Sequence, residues 1–366
     1  MNIIIEGSNL SNIKAGIGNY TYNLLNYLLK IQEDINSTVL LRPDIKQLNL
    51  GERIQTIKAK GVYTKYLPYD AENLSGKYDL LHEPSYIPRI FRGKTVATVC
   101  DMSYRLFPQY HPRRRVALFR LFEHRMCRAN KIITISQNSK KEIIELLGIP
   151  EEKIAVTYLG ASAEFKPMMI YKEQIRLLRA KYNLPETFIL YVGTIEPRKN
   201  LERLIGAFSV MKQQGVYKDV KLVLAGGKGW LYEQVFKSVQ ENRLEEEVLF
   251  TGYVQEDDLP ALYNMAMIFV YPSIYEGFGL PPLEAMSCGI PVVSTNTSSI
   301  PEVVADAGIL VNPYDIVELS EVMKKLLDSK TLRDELSKKG LARATTFSWA
   351  KCAQETFQIY KDCITE

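Results

Sequence analysis

The chain has 366 residues, more than one hydrophobic core usually organises, so two domains are expected. Apolar residues make up 46% and charged residues 24%, an ordinary globular balance, and a formal charge of +4 is too small to argue for nucleic acid. No run approaches the ~20 apolar residues that span a bilayer. The chain opens directly on Asn2-Ile3-Ile4-Ile5, with no charged leader, so a cytoplasmic location is expected. Cys100, Cys127, Cys288, Cys352 and Cys363 are scattered and odd in number, which suits reduced thiols. The three histidines are also dispersed, so no metal site is expected.

In chain order, short apolar runs alternate with amphipathic stretches, the pattern of α/β domains with parallel sheets. Strands are expected at Asn2–Glu6, Ser37–Leu41, Tyr78–His82, Thr95–Cys100, Lys131–Ser136 and Ile154–Leu159. Helices are expected at Tyr20–Lys30, Arg114–Ala129 and Ser139–Leu147, the last closed by Gly148 and Pro150. Residues 160–183 look polar and irregular, an interdomain connection. A second alternation follows, with strands at Phe188–Val192, Val220–Ala225, Val248–Thr251, Ile268–Tyr271, Pro291–Ser294 and Gly308–Val311. Their apolar runs suit strands buried on both faces. Two doubly wound, Rossmann-like halves are therefore expected, spanning 1–165 and 180–347, with ligands at the carboxyl ends of the strands in a cleft between them. The amphipathic segment 348–366 is expected to pack back on the first half.

Arg113, Arg114, Arg115, Arg120, Arg125 and Arg128 interleave with Val116, Phe119, Phe122 and Met126 at helical spacing. Such a helix is either a solvated basic face or a surface for anionic lipid headgroups or a phosphate-bearing acceptor.

Three stretches could carry chemistry. Gly16-Ile17-Gly18 opens a helix after the first strand, where glycines and free amides favour a phosphate; a structural turn is the alternative. Gly193-Thr194-Ile195-Glu196-Pro197-Arg198-Lys199 follows a buried strand, and its adjacent cations suit a diphosphate, or else two solvated charges. Tyr275-Glu276-Gly277-Phe278-Gly279-Leu280 leads into a helix expected to start near Pro282, with Glu284 in its first turn where the macrodipole favours an acid. Carboxylates there would accept sugar and ribose hydroxyls.

With Glu276 and Glu284 separated by seven residues, and with Gly289-Ile290-Pro291 and Ser299-Ile300-Pro301-Glu302 after them, the chain resembles the retaining GT-B glycosyltransferases of the family 4 type. Gly252-Tyr253-Val254, Ala15-Gly16-Ile17-Gly18 and Ile135-Ser136-Gln137 also resemble that family. The resemblance implies two Rossmann-like domains, the first binding acceptor and the second a nucleotide-diphosphate sugar. It implies that Gly16, Gly18 and Gly193 approach the donor diphosphate and that Arg198 and Lys199 neutralise it. Glu276 would contact the transferred sugar and Glu284 the ribose. The amides around Phe278, Gly279 and Leu280 would face sugar or phosphate, and Val254 would line the base pocket. No metal or other cofactor would be needed, and the anomeric configuration would be retained.

Two positions depart from the family pattern. Thr194 stands where many relatives carry arginine, and Cys100-Asp101 ends a strand where relatives often have His-Asp. Asp101 is then a candidate for orienting the acceptor hydroxyl, and His82 for the missing imidazole. The variant Glu-Pro-Arg-Lys-Asn looks like bacterial mannosyl- and hexosyltransferases of O-antigen or capsule assembly. GDP-mannose is the favoured donor and a lipid-linked saccharide the expected acceptor, with peripheral contact to the anionic inner membrane through Arg113, Arg114 and Arg115. A UDP-sugar-dependent hexosyl- or N-acetylhexosaminyltransferase, or a nucleotide-sugar epimerase on the same fold, is the alternative. A phosphorylase and a non-enzymatic nucleotide-sugar sensor are weaker readings.

Overall fold

The computed structural model describes residues 1–10, 16–31, 36–41, 55–58, 76–84, 91–213 and 215–366. The chain divides into two compact units, one formed by Met1–Gly160 with Ser348–Glu366 and the other by Ala161–Phe347. Ala15, part of the first glycine motif, lies outside the described residues.

The first unit is built on β1 (Asn2–Glu6), β2 (Asn36–Leu41), β3 (Gln55–Lys58), β4 (Leu80–Glu83), β5 (Lys94–Thr98), β6 (Lys131–Thr134) and β7 (Ile154–Val156). All pairings are parallel, in the order β3-β2-β1-β4-β5-β6-β7. Its helices are α1 (Ile17–Ile31), α2 (Ser103–Leu106), α3 (Arg113–Phe122), α4 (His124–Arg128) and α5 (Gln137–Leu147). The strand interiors are continuous apolar runs because helices cover both faces of such a sheet, and Ile3, Ile4 and Ile5 are fully buried. The edge strand β3, Gln-Thr-Ile-Lys, has no such run and escaped the sequence reading.

The second unit holds α6 (Lys172–Tyr182), β8 (Thr187–Val192), α7 (Leu201–Lys212), β9 (Val220–Ala225), α8 (Glu233–Glu241), β10 (Val248–Gly252), α9 (Leu259–Met265), β11 (Ile268–Tyr271), α10 (Leu280–Ser287), β12 (Val292–Thr295), α11 (Ile300–Val304), β13 (Ile309–Val311), α12 (Ile316–Asp328) and α13 (Lys330–Ala344). Its sheet is also parallel, ordered β10-β9-β8-β11-β12-β13. The strand order reverses between β8 and β11, and connections leave those two strands in opposite directions. That switch point is where a doubly wound sheet opens a crevice at its carboxyl edge.

Two expectations need correction. Residues 160–183 are not irregular throughout, since α6 fills 172–182 and ends on Asn183 in the left-handed conformation. Ile175, Leu178 and Tyr182 give that segment helical periodicity, and Leu178 and Tyr182 are buried. The basic helix expected over 114–129 is two helices, interrupted at Glu123. There the Glu123 carboxylate accepts hydrogen bonds from Arg105 Nε at 2.9 Å and the Tyr104 hydroxyl at 3.1 Å.

The last helix, α14 (Trp349–Thr365), belongs to the first unit and buries Trp349, Phe357 and Tyr360 there. Trp349 meets Tyr20 of α1 at 6.3 Å between ring centroids. The Tyr360 hydroxyl lies 2.6 Å from His82 Nδ1 on β4.

Candidate active site

The loops leaving β8 and β11, the two switch-point strands, meet through their side chains. After β8 the chain crosses the loop that follows β9, and the crossing is tight. A Cβ on Gly226 would fall 1.9 Å from the Gly193 carbonyl oxygen, and Gly226 has φ +156°. Only glycine fits there. Beyond the crossing, Pro197–Lys199 form one 3-10 turn, closed by Asn200 in the left-handed conformation. The Asn200 side chain anchors the turn by donating to the carbonyls of Pro272 at 3.0 Å and Pro313 at 2.8 Å.

This turn delivers Arg198 and Lys199 to Glu276. Lys199 Nζ donates to Glu276 Oε1 at 2.6 Å and to the Tyr271 hydroxyl at 2.7 Å. Tyr271, the last residue of β11, in turn donates to Glu276 Oε1 at 3.1 Å. Arg198 Nη1 lies 3.2 Å from Glu276 Oε2 and donates to the Tyr275 carbonyl at 2.5 Å. Its Nη2 donates to Glu196 Oε1 at 2.7 Å. The Glu276 loop is itself held by two serines: Ser298 Oγ accepts from the Glu276 amide, and Ser299 Oγ donates to the Glu276 and Phe278 carbonyls.

The two cations are therefore not solvated: the Lys199 side chain is 9% exposed and that of Arg198 is 14%. Burial pushes the Glu276 carboxyl up, but the Arg198 and Lys199 charges outweigh it and hold the group at about 2. Burial lowers the Lys199 ammonium, opposed by the Glu276 charge.

Glu284 has a different setting. It is the fifth residue of α10, which begins at Leu280, so it does not sit in the first turn as the sequence suggested. The helix begins earlier because Gly279, at φ +116°, caps it two residues before the prolines. Glu284 Oε2 accepts from the Tyr263 hydroxyl at 2.9 Å. Burial drives its carboxyl to about 7, opposed by the Tyr263 hydrogen bond and reinforced by the Glu256 charge. Phe278 packs edge-on against Phe347 at 5.7 Å, and Val254 is buried in the turn after β10 beside the exposed Tyr253.

The remaining candidates lie in the first unit. Gly16 has φ +52° just before α1, and a Cβ on Gly18 would meet the Asn9 carbonyl oxygen at 2.7 Å. The Asn9 backbone thus excludes a side chain at Gly18, and Gly16 takes a left-handed conformation that glycine adopts without strain. Asp101 Oδ1 accepts from the Ser103 amide at 2.8 Å, while burial pushes the neighbouring Cys100 thiol up, so it stays protonated. His82 is not available to an acceptor. It is fully buried, with Nε2 2.8 Å from Thr98 Oγ1 and Nδ1 on Tyr360, and burial drops its pKa to about 3. Its period-2 position on β4 turns it toward α14, a partner 278 residues away in sequence. Arg113 and Arg114 are exposed on the first turn of α3, and Arg115 lies over the Phe119 ring at 5.3 Å.

Sequence reasoning missed Glu196, Tyr271, Tyr263 and the two serines. Tyr271 had a legible signal, a hydroxyl ending a fully apolar strand, where burial requires a partner. His111 was also missed; its Nε2 lies 3.0 Å from Ser103 Oγ, next to Asp101. Among the described residues, no group of three or more His, Cys, Asp or Glu could hold a metal ion, and no helix is long and apolar enough to cross a membrane.

Residues 174–343 match the model for glycosyl transferases group 1, and residues 15–165 match that for glycosyltransferase family 4. The chain is 38% identical over 285 residues to O-antigen chain mannosyltransferase B of Escherichia coli, covering 77% of this chain and 74% of that one. The chain belongs to the family 4, group 1 glycosyltransferases. This glycosyltransferase is also 37% identical over 227 residues to the serotype-specific mannosyltransferase WbdA of Escherichia coli, a match covering 62% of the chain but only 28% of WbdA. Its fold is GT-B, similar to sucrose-phosphate synthase from Thermosynechococcus elongatus (TM-score 0.79, 20% identity, 100% and 99% of the two chains). It is likewise similar to WaaG, a glycosyltransferase involved in lipopolysaccharide biosynthesis (TM-score 0.77, 17% identity, 98% and 99%).

Proposed function

We propose that this glycosyltransferase moves mannose from GDP-mannose, with retention and without a metal, onto a lipid-linked saccharide of a surface polysaccharide. The observation that carries the reading is the buried cluster of Arg198, Lys199 and Glu276 at the carboxyl ends of β8 and β11. Two cations there can take the place of a metal in neutralising a leaving diphosphate. The relatives named as an O-antigen chain mannosyltransferase and a serotype-specific mannosyltransferase support mannose, and the first supports a surface-polysaccharide acceptor.

In this scheme Ala161–Phe347 is the donor-binding unit and the first unit binds acceptor. Arg198 and Lys199 hold the diphosphate, Glu276 the sugar and Glu284 the ribose hydroxyls. Gly193 and the amides of Phe278, Gly279 and Leu280 approach sugar or phosphate, and Val254 lines the base pocket. The acceptor oxygen bonds to the anomeric carbon on the face from which the phosphate departs. The acceptor proton passes to the leaving phosphate oxygen, with Asp101 orienting the acceptor hydroxyl. The exposed Arg113, Arg114 and the half-buried Arg115 of α3 form the contact to anionic headgroups at the inner membrane face.

The test is transfer to a polyprenyl-diphosphate-linked saccharide from GDP-mannose and UDP-hexoses, with and without EDTA, with product anomers read by NMR. GDP-mannose turnover with an α-linked product, unaffected by EDTA, is expected. Turnover of UDP-sugars alone would overturn the donor assignment. A pH prediction also follows from Glu284. Ribose hydroxyls are accepted best by the carboxylate, and in the folded chain without nucleotide Glu284 titrates at about 7. Nucleotide affinity should therefore strengthen about tenfold from pH 6 to pH 8. Calorimetry on Glu284→Gln should show weaker binding with that slope gone, and a persisting slope would assign it elsewhere.

A further inference from the structure

The donor cations carry two carboxylates, and these differ in how they are held. Glu196 and Glu276 together balance Arg198 and Lys199, so the four groups are neutral as a set. A nucleoside diphosphate brings at least two more negative charges to the same cations. Like charges repel strongly where water is scarce, so the phosphates and both carboxylates cannot share Arg198 and Lys199.

The geometry marks which carboxylate leaves. Glu196 sits inside the crossing of the loops after β8 and β9. That crossing is fixed by backbone hydrogen bonds from Ile195 to Gly227 at 3.0 Å and from Gly229 to Ile195 at 3.0 Å. The Glu196 side chain is 3% exposed and lies 2.7 Å from Arg198. Glu276 lies on the loop entering α10, with its side chain 11% exposed; Lys199 holds it at 2.6 Å and Tyr271 at 3.1 Å, while its contact to Arg198 is longer than that of Glu196, at 3.2 Å. Ser298 and Ser299 fix the Glu276 backbone, so its side chain can rotate without moving the loop.

Resting on the proposed donor site, we propose that Glu276 is the resident counter-ion of Arg198 and Lys199, displaced by the donor diphosphate, while Glu196 is a positioning residue that stays on Arg198. Displacement turns the Glu276 carboxylate from the cations toward the sugar, and binding of the diphosphate and readiness of the carboxylate become one event. Glu196 keeps the guanidinium planar to the incoming phosphate after its second carboxylate has left.

The test is calorimetric titration of GDP and UDP into the full chain and into Glu276→Gln, Glu276→Ala and Glu196→Gln, with thermal melts to confirm folding. Glu276→Gln should bind the nucleoside diphosphate about tenfold more tightly than the parent chain while losing transfer, because the competing charge is gone. Glu276→Ala should shift in the same direction and serves if the glutamine variant does not fold. Glu196→Gln should not tighten binding, and its transfer rate should fall in the parent chain but not further in an Arg198→Ala background. Unchanged or weaker binding by both Glu276 variants overturns the displacement. Equal tightening by Glu196→Gln overturns the division between the two carboxylates. Failure of the parent chain to bind either nucleotide would instead sink the donor site itself.

Discussion

Replacing Lys199 by alanine is expected to lower kcat about 10³-fold, with a smaller change in the donor KM. Removing one preorganised donor from a site of developing negative charge costs a factor of about 10² to 10³. Lys199 belongs at the upper end because it is buried and makes two short hydrogen bonds, to Glu276 and Tyr271. The same substitution leaves the Glu276 carboxylate in its pocket with only Arg198, at 3.2 Å, as a charged partner. Breaking a buried ion pair from one side costs about 3–5 kcal/mol, so the melting temperature should fall as well. Lys199→Arg should not restore activity, because a planar fork cannot occupy the point position 2.6 Å from a carboxylate and 2.7 Å from a phenol. Initial rates at saturating donor decide the matter; a variant with near-parental kcat would remove Lys199 from the chemistry.

The sheets were legible because parallel strands covered on both faces must be apolar throughout, and Ile268–Tyr271 or Phe188–Val192 leave no other reading. The misses have the opposite cause. At the sheet edge, β3 needs no apolar run, and α6 follows a polar stretch whose helical period is carried by three residues. The break between α3 and α4 depends on Arg105 and Tyr104 reaching Glu123, a tertiary contact invisible to local periodicity.

The site divides along the same line. Arg198, Lys199 and Glu276 could be singled out because each sits beside turn-forming residues after a strand, and Glu284 because it follows Glu276 into the next helix. What each one touches could not be read. That Glu276 is paired with both cations, while Glu284 faces a phenol, is decided by residues 21 to 77 positions away in sequence. The contrast also sets their protonation apart, one carboxyl held at about 2 and the other raised to about 7. His82 failed as a candidate for a related reason, since a histidine near a strand's end can serve a cleft or a core. Here α14 claims it for the core.

Acidification is expected to weaken the first unit while strengthening the second. His82 titrates at about 3 in the folded chain against 6.5 when free. Between these values the unfolded chain binds a proton that the folded chain does not, so stability drops as pH falls, by about 1.4 kcal/mol per pH unit. Above 6.5 both states hold His82 neutral and the difference vanishes. Glu284 runs the other way, at about 7 folded against 4.5 free. Between those values the folded chain keeps a proton that the unfolded chain releases, so stability rises as pH falls, with the same slope. From pH 6.5 to 4.5 the first unit should lose, and the second gain, about 2 kcal/mol from these two groups. A global melt would then show little net change and conceal both. Hydrogen exchange resolves them: protection free energies of β1, β4 and β5 should drop across that range while those of β8, β11 and β12 rise. Glu284→Gln should flatten the second slope and leave the first untouched. Parallel changes in both units would mean that other groups govern their acid response.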